Sequence, residues 1–506
     1  MSNNRTINTA KNLSIGAGTQ ILSLLLSFGI RTAFVVTLGI EYLSVNGLFA
    51  NILTLLSFTE LGIGSAINYS LYKPFAEDDR EQIGKLTNLL KRAYNYIAII
   101  ILILGLCVVP FLKYIITDVP NIKENIPFLY ILFLLNTVVS YVYGYKKSVL
   151  IADQKNYIVI SIYTVLNTVM IFVQIGILYF LRSFTLFLIA MIIFTLLNNI
   201  IATLYVNRKY PWIKDVEKLQ LEKNEILPIF QNIKNIVIYK LGSVLLNGSS
   251  SIIISGLIKT TLVGLCSNYS MIISSVTTII NQGVAGIAAS IGNYNVTATK
   301  SDNEKVFQQL SLLSFWAIGV VSLGMACLLT PFVRIWLGEK YLLDDYVVIL
   351  LVLGFYMLMI NSIPSSYRTA MGFFKEARLA PLLAAFLNIV LGVIGAKLWG
   401  LLGVFGATVL ARLLTYCIID PYIVYRKGFD KSPFIYYARF ICWIIILSIS
   451  YLISDYLIST IKVVGMMGLI VSSIISIVIF NIIFFICYWR NDTLHQAFYR
   501  LKFKQK

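Results

Sequence analysis

The sequence predicts an all-α integral membrane protein of about 14 transmembrane helices, built as two pseudo-symmetric six-helix lobes in parallel repeat with two additional C-terminal helices. Three observations predict it. The 506-residue chain is 58% hydrophobic and 13% charged, with a mean hydropathy of +0.82, whereas soluble domains are about half apolar and about a quarter charged. Its apolar runs are long enough to cross a bilayer core, which takes about 20 residues per helix, and their continuity excludes the short alternating segments of a spanning barrel. The third observation is an internal echo. At an offset of 224, Gly62, Ile63, Ile67 and Asp78 in the stretch 59–83 face Gly286, Ile287, Ile291 and Asp302 in the stretch 286–307. Pro110-Phe111 and Pro331-Phe332 recur at nearly the same offset, so the chain reads as a duplication.

In chain order, the apolar runs place helices at 14–38, 45–71, 93–116, 126–150, 157–181 and 184–206 in the first lobe. The second lobe takes 235–258, 262–292, 308–333, 346–371, 379–396 and 402–425, and the last two helices take 434–458 and 463–489. The longest loop, 207–233, separates the lobes, giving domains at 1–233, 234–433 and 434–506. An even number of crossings separates the two copies of the motif, so the repeats are parallel about an axis along the membrane normal. A further echo sits in the fourth helix of each lobe: Tyr145-Lys146-Lys147 answers Tyr367-Arg368-Thr369, with Asn167 and Asn388 in the helices that follow. Pro364 is expected to kink the tenth helix. Small residues in GIGSA, GLIKTTLVG, GVAGIAAS and GLLGVFGA are expected to let backbones approach closely, since packing rather than hydrophobicity joins helices in lipid.

The net charge of +18 does not mark a nucleic-acid binder, because the charge is segregated. With the N-terminus inside, 31 of the 41 Lys and Arg residues fall in cytoplasmic segments, eight in outer ones, and Arg31 and Arg412 within helices. This is the positive-inside pattern, and it places both termini of a multi-pass membrane protein in the cytoplasm. The six cysteines lie singly inside expected spans and the one histidine, His495, lies in the tail. Neither a disulfide framework nor a metal site is expected. The first apolar run exceeds a signal-peptide core and is expected to remain as the first helix.

The run LGIEYLSVNGLFANILTLLSFTELGIGSAINYSLYKPFAEDDREQI resembles the N-terminal signature of the polysaccharide export flippases, the O-antigen and capsule repeat-unit flippases of the Wzx type. TPFVRIWLGEKY, YRTAMGFFKEARLAPLLAAFLNIV and GLLGVFGATVLARLLTYCIIDPYIVYRKGF resemble the second half of that family in order and spacing, so the likeness covers roughly residues 10–430. The resemblance implies the superfamily of multidrug and toxin extruders, oligosaccharidyl-lipid flippases and the peptidoglycan-precursor flippase, with two six-helix lobes around a central cavity. It implies an activity that is transport and not catalysis: moving an undecaprenyl-diphosphate-linked oligosaccharide from the inner to the outer leaflet during surface polysaccharide (exopolysaccharide) biosynthesis. Its partners would be that polyprenyl-linked glycan, the bilayer, and the polymerase and glycosyltransferases of the same pathway. No cofactor is expected beyond a coupling proton or sodium ion.

That substrate needs cations for its diphosphate, and Arg31 and Arg412 meet the need. A mid-helix arginine costs from about 3 kcal/mol to above 10 kcal/mol, and a guanidinium forks onto phosphate oxygens as an ammonium cannot. Arg368 and Lys146, at the cytoplasmic mouth, are candidates to meet the diphosphate first. Glu60, read as the only acid deep within any span, either pairs with Arg31 in the adjacent helix or takes a coupling proton. For Arg412 the nearest acid in sequence is Asp420, two turns away. Arg334, Lys259 and Lys397 sit where they would snorkel to headgroups. A cation antiporter of the same superfamily would want acids in the cavity, and a membrane polymerase or ligase would want a substantial outer loop, which this chain lacks.

Overall fold

A computed structural model describes residues 2–57, 63–116, 118, 120–216, 218–297, 299–461 and 465–496, and the described elements are helices joined by short turns. Among the described residues, twelve helices are long and apolar enough to cross a membrane, thirteen when the bent pair Ile126–Tyr141 and Gly144–Ala152 is counted as one broken span. The expected span at 45–71 is divided instead into two short helices, α2 (Ile40–Leu56) and α3 (Ile63–Glu77). Residues 58–62, with Glu60, lie outside the described residues. The chain separates into two compact units, Met1–Gly264 and Leu265–Lys506.

The first unit opens with α1 (Ser2–Thr37), α2 and α3, then α4 (Arg80–Val108), capped at its start by the Asp79 carboxylate accepting from the Gln82 amide. Helices α5 (Ile126–Tyr141), α6 (Lys147–Ala152), α7 (Asn156–Gly176), α8 (Phe184–Lys209) and α9 (Lys223–Leu257) follow. Much of the expected 207–233 loop is helical, because KNEIL continues the helix-forming pattern ahead of the apolar run. Helix α9 packs on α2 within this unit, where Asn51 Nδ2 donates to Ser251 Oγ at 2.9 Å. The core is aromatic: Phe34 meets Phe184 and Phe187 edge to face at 5.4 and 5.3 Å, and Phe49 meets Tyr130 at 5.2 Å. Beyond α8, Tyr210 bonds Asp153, which also pairs with Lys155. Burial, and then the Asp153 bond, push the Tyr210 phenol well above its usual range.

Helix α10 (Thr260–Thr297) runs from the first unit into the second, which continues with α11 (Lys300–Leu337), α12 (Asp345–Ile360), α13 (Ser362–Ala370) and α14 (Ala380–Trp399). It ends with α15 (Leu401–Leu414), α16 (Tyr416–Ile423), α17 (Phe434–Ile461) and α18 (Gly465–Tyr488). The last two helices pack on α11 through aromatic contacts. Phe315 stacks on Trp443 at 5.1 Å with 9° between planes, Phe480 meets Phe315 edge to face at 5.8 Å, and Trp316 Nε1 donates to Asn481 at 2.9 Å. Outward faces are apolar, with Phe180, Phe386 and Ile486 largely exposed, as lipid-facing surfaces require.

One expected small-residue seam is a backbone contact. A Cβ on Gly403 would lie 2.0 Å from the Gly395 carbonyl oxygen, and one on Gly395 would lie 2.7 Å from the Gly403 oxygen. Only glycine at both positions lets α14 and α15 touch, which is close packing doing the joining that hydrophobicity cannot do in lipid. Gly403→Val should therefore destabilise the protein by roughly 1–3 kcal/mol through overpacking. A thermal melt of the purified protein in detergent should show the loss, and Gly406→Ala, where added atoms meet open space, should not.

Candidate functional site

The apolar run at 126–150 cannot stay one straight helix, because its chain turns over at Val142 and Tyr143. Val142 is extended, Tyr143 takes a left-handed conformation at φ 62°, and a tight turn over Gly144–Lys146 leads into α6 after a bend of 40°. Such a break strips carbonyls of their helical donors, and inside a bilayer each must find another. Asn199 of α8, 1% exposed, supplies them: its Nδ2 lies 3.1, 3.0 and 2.8 Å from the carbonyl oxygens of Val139, Ser140 and Val142. The amide oxygen of Asn199 accepts from Lys147 Nζ at 2.7 Å. Two turns further along α8, Asn207 Oδ1 accepts from Lys146 Nζ at 2.9 Å.

The second unit breaks its own fourth helix at Asn361, between α12 and α13. Pro364 stands in the first turn of α13 and has no N–H to give the Ile360 carbonyl, which is why the kink expected from it falls three residues upstream. The clamp again comes from the sixth helix of the repeat, itself interrupted at Thr415 between α15 and α16. Asp420 Oδ1 pairs with Arg368 Nε at 2.8 Å, and Asp420 Oδ2 accepts from Asn361 Nδ2 at 2.7 Å. Arg368 Nη2 reaches Ser365 Oγ at 3.3 Å. Two turns above Asp420, Arg412 Nη1 donates to the Gly354 carbonyl at 2.6 Å, and one turn above it the Cys417 thiol points to the Met357 carbonyl at 3.6 Å. The two ion-paired side chains are only 4% and 3% exposed.

The two clamps occupy nearly the same columns of the duplication. Lys146 and Arg368 are 222 residues apart, and Asn199 and Asp420 are 221 apart. The echo of Tyr-Lys-Lys and Tyr-Arg-Thr thus extends to the residues that hold it. Sequence reasoning missed Asn199, Asn207 and Asn361, whose signal was an isolated amide within an apolar run. It also took Glu60 for the one acid deep in a span. That reading is corrected: Asp420 is 2% exposed within Leu401–Gly428, drawn inward by the break at Thr415.

Of the expected substrate cations, Lys146 and Arg368 are buried at 4% and 3% exposure rather than open at a mouth, and Arg412 is 9% exposed. Arg31 is part-buried on the 18–37 span of α1. Its expected partner Glu60 lies outside the described residues. Arg368 and Arg412 are brought onto one helix junction, and Asp420, expected nearest to Arg412, is ion-paired with Arg368. Asn388, 1% exposed, accepts from Thr408 at 2.8 Å and ties α14 to α15.

No protein-family model and no curated protein sequence matches the chain. Solved structures do. The lipid II flippase MurJ in an inward closed conformation matches with a TM-score of 0.63 at 17% identity, over 93% of this chain and 98% of MurJ. An inward-facing multidrug resistance transporter of the MATE family, in the MOP superfamily, matches with a TM-score of 0.59 at 14% identity, over 78% and 92% of the two chains. The Vibrio cholerae MATE transporter VcmN matches with a TM-score of 0.56 at 16% identity, over 83% and 98%. The chain has the fold of these membrane transporters.

Removing one side of a buried ion pair strands the other, at a cost of about 3–5 kcal/mol, while replacing both by apolar groups is often near neutral. Asp420→Ala should accordingly lower the melting temperature sharply, and the double variant Arg368→Met with Asp420→Leu should regain most of the loss. Thermal melts of the three proteins in one detergent check it.

Proposed function

We infer that the chain is a flippase carrying an undecaprenyl-diphosphate-linked oligosaccharide from the inner to the outer leaflet of the bacterial cytoplasmic membrane, for cell-surface polysaccharide synthesis. The observation that carries this reading is the placement of guanidinium groups within apolar helices. Arg31 and Arg412 both lie inside spans, at a cost that ordinary packing does not repay. A diphosphate is the ligand whose charge and planar oxygen pairs suit guanidinium forks. The fold shared with a lipid II flippase supports a lipid-linked substrate, and the residue runs resembling the Wzx type support an oligosaccharide repeat unit. Arg31, Arg412, Arg368 and Lys146 are its diphosphate ligands in this reading. Arg368 would give up Asp420 to serve, and Glu60 would pair with Arg31 or carry a proton.

A multidrug cation antiporter is the alternative that the MATE likeness offers. It calls for a carboxylate able to receive a cation, whereas Asp420 is already engaged by Arg368 and Asn361. Transport in the flippase reading makes and breaks no bond and needs no cofactor. An interior-negative potential would drive the diphosphate outward by about 2.3 kcal/mol per charge per 100 mV, with proton or sodium exchange as a second source of work.

Reconstitution in proteoliposomes with a polyprenyl-diphosphate oligosaccharide tests the reading. The wild type should move the glycan across, faster under an imposed potassium diffusion potential. Arg31→Ala with Arg412→Ala should slow it at least about ten-fold, with Arg412→Lys between. Flipping at the wild-type rate in the folded double variant rejects the diphosphate assignment. The topology follows the basic asymmetry: single cysteines at Ser301 and Lys427 should label from the cytoplasm, and those at Lys340 and Lys397 from outside.

A further inference from the structure

Within the second unit, a hollow lies where α17 begins and α18 ends. It is lined by Gln308 of α11, Arg439 and Trp443 of α17, Tyr488 of α18, and Asn491 and Thr493 just beyond that helix. Arg439 stands in the second turn of a 28-residue span and Tyr488 is the last residue of the neighbouring span, so the hollow lies at the depth where helices leave hydrocarbon for headgroups. Trp443 Nε1 donates to Tyr488 Oη at 3.0 Å and holds the two helices together there. Among the described lining residues Arg439 is the one that carries a charge. Its guanidinium is partly exposed and, among the described residues, meets no carboxylate at ion-pair distance and no hydrogen-bond acceptor. Glu304, one turn before Gln308 on α11, is already paired with Lys431 and accepts from Gln308 Nε2 at 3.0 Å. Asn491 Oδ1 accepts from the Thr493 amide at 2.9 Å. Asn491 Nδ2 and the Thr493 hydroxyl have no partner among the described residues, and both side chains belong to partly exposed residues.

A guanidinium at this depth without a counter-ion is costly, and accessible donors grouped around it suit an oxyanion. The hollow itself is about 10 Å³, room for one oxygen-sized atom. A tetrahedral phosphate meets that limit by placing one oxygen inside and keeping the others at the mouth. The geometry points to a binding site here for one anionic phosphate group, with Arg439 forking onto its oxygens and Asn491 and Thr493 donating to the oxygen in the hollow. A phospholipid headgroup and a soluble phosphate share that chemistry. Ile441, Ile445 and Ile486, exposed on the same two helices, offer acyl chains a surface to lie on. The site shares no residue with the helix-break clamp, and the inference stands whether or not the transported substrate is a diphosphate.

Hydrogen–deuterium exchange of the full chain in detergent, titrated separately with phosphatidylglycerol, phosphatidylcholine and inorganic phosphate, tests the site. Phosphatidylglycerol should slow exchange saturably in the peptide spanning 488–496, and phosphatidylcholine, whose headgroup has no net charge, should not. Arg439→Gln should raise the half-protecting concentration about ten-fold, the worth of a hydrogen bond to a charged group. Arg439→Lys, which keeps the charge and loses the fork, should raise it about three-fold. Arg208→Gln, which removes an exposed cation from the first unit, should leave it unchanged. Thr493→Leu, filling the hollow from beyond α18, should abolish protection and serves if the Arg439 variants fail to keep their melting temperature. Protection by inorganic phosphate as well assigns the site to a soluble phosphate, and protection by the anionic phospholipid alone assigns it to a headgroup. No protection of this peptide in the wild type, or protection unchanged in the folded Arg439 and Thr493 variants, overturns the site. Equal protection by phosphatidylcholine overturns the anion assignment.

Discussion

A carbonyl inside a bilayer has no water to turn to, and the architecture of this chain follows from what it does with the carbonyls its own helices release. Straight spans satisfy themselves and need only packing. Broken ones need a donor from elsewhere, and each repeat answers by the same route. Its sixth helix lays polar side chains across the break in its fourth. Asn199 shares one amide nitrogen among three carbonyls. In the second repeat, Arg412 and Cys417 donate to the Gly354 and Met357 carbonyls, while Asp420 accepts from Asn361 and pairs with Arg368. Asn199, which looks costly in an apolar sequence, is there because the alternative, an unmet backbone group, costs more.

Much of the fold was legible because lipid simplifies the code. Apolar runs bounded by charge located nearly every helix, since composition alone distinguishes a span from a loop. The second run misled, because its hydropathy continues across 45–71 while the backbone ends a helix at Leu56. Hydropathy reports transfer into lipid and is silent on backbone direction. The start of α9 at Lys223 was hidden for the converse reason: that segment is helical without being apolar.

The site was legible in its cations and not in their partners. Arg368, Arg412 and Lys146 stand out as charges in or beside apolar runs, and the repeat echo flagged two of them. What holds them depends on which helices adjoin, information that no single helix carries. Asn199 and Asp420 sit within one position of each other in the repeat, yet an amide and a carboxylate share no obvious signature until each is seen against its own break.

The duplicated clamp is chemically unequal, and the inequality is one residue wide. In the first unit lysines are held by amides, Lys147 by Asn199 and Lys146 by Asn207. In the second, a guanidinium is held by a carboxylate. An amide has a donor end and an acceptor end, so Asn199 serves three carbonyls and a lysine at once. The ionised Asp420 carboxylate can only accept, so in the second unit the carbonyls are left to Arg412 and Cys417, and what one side chain does in the first unit takes three in the second.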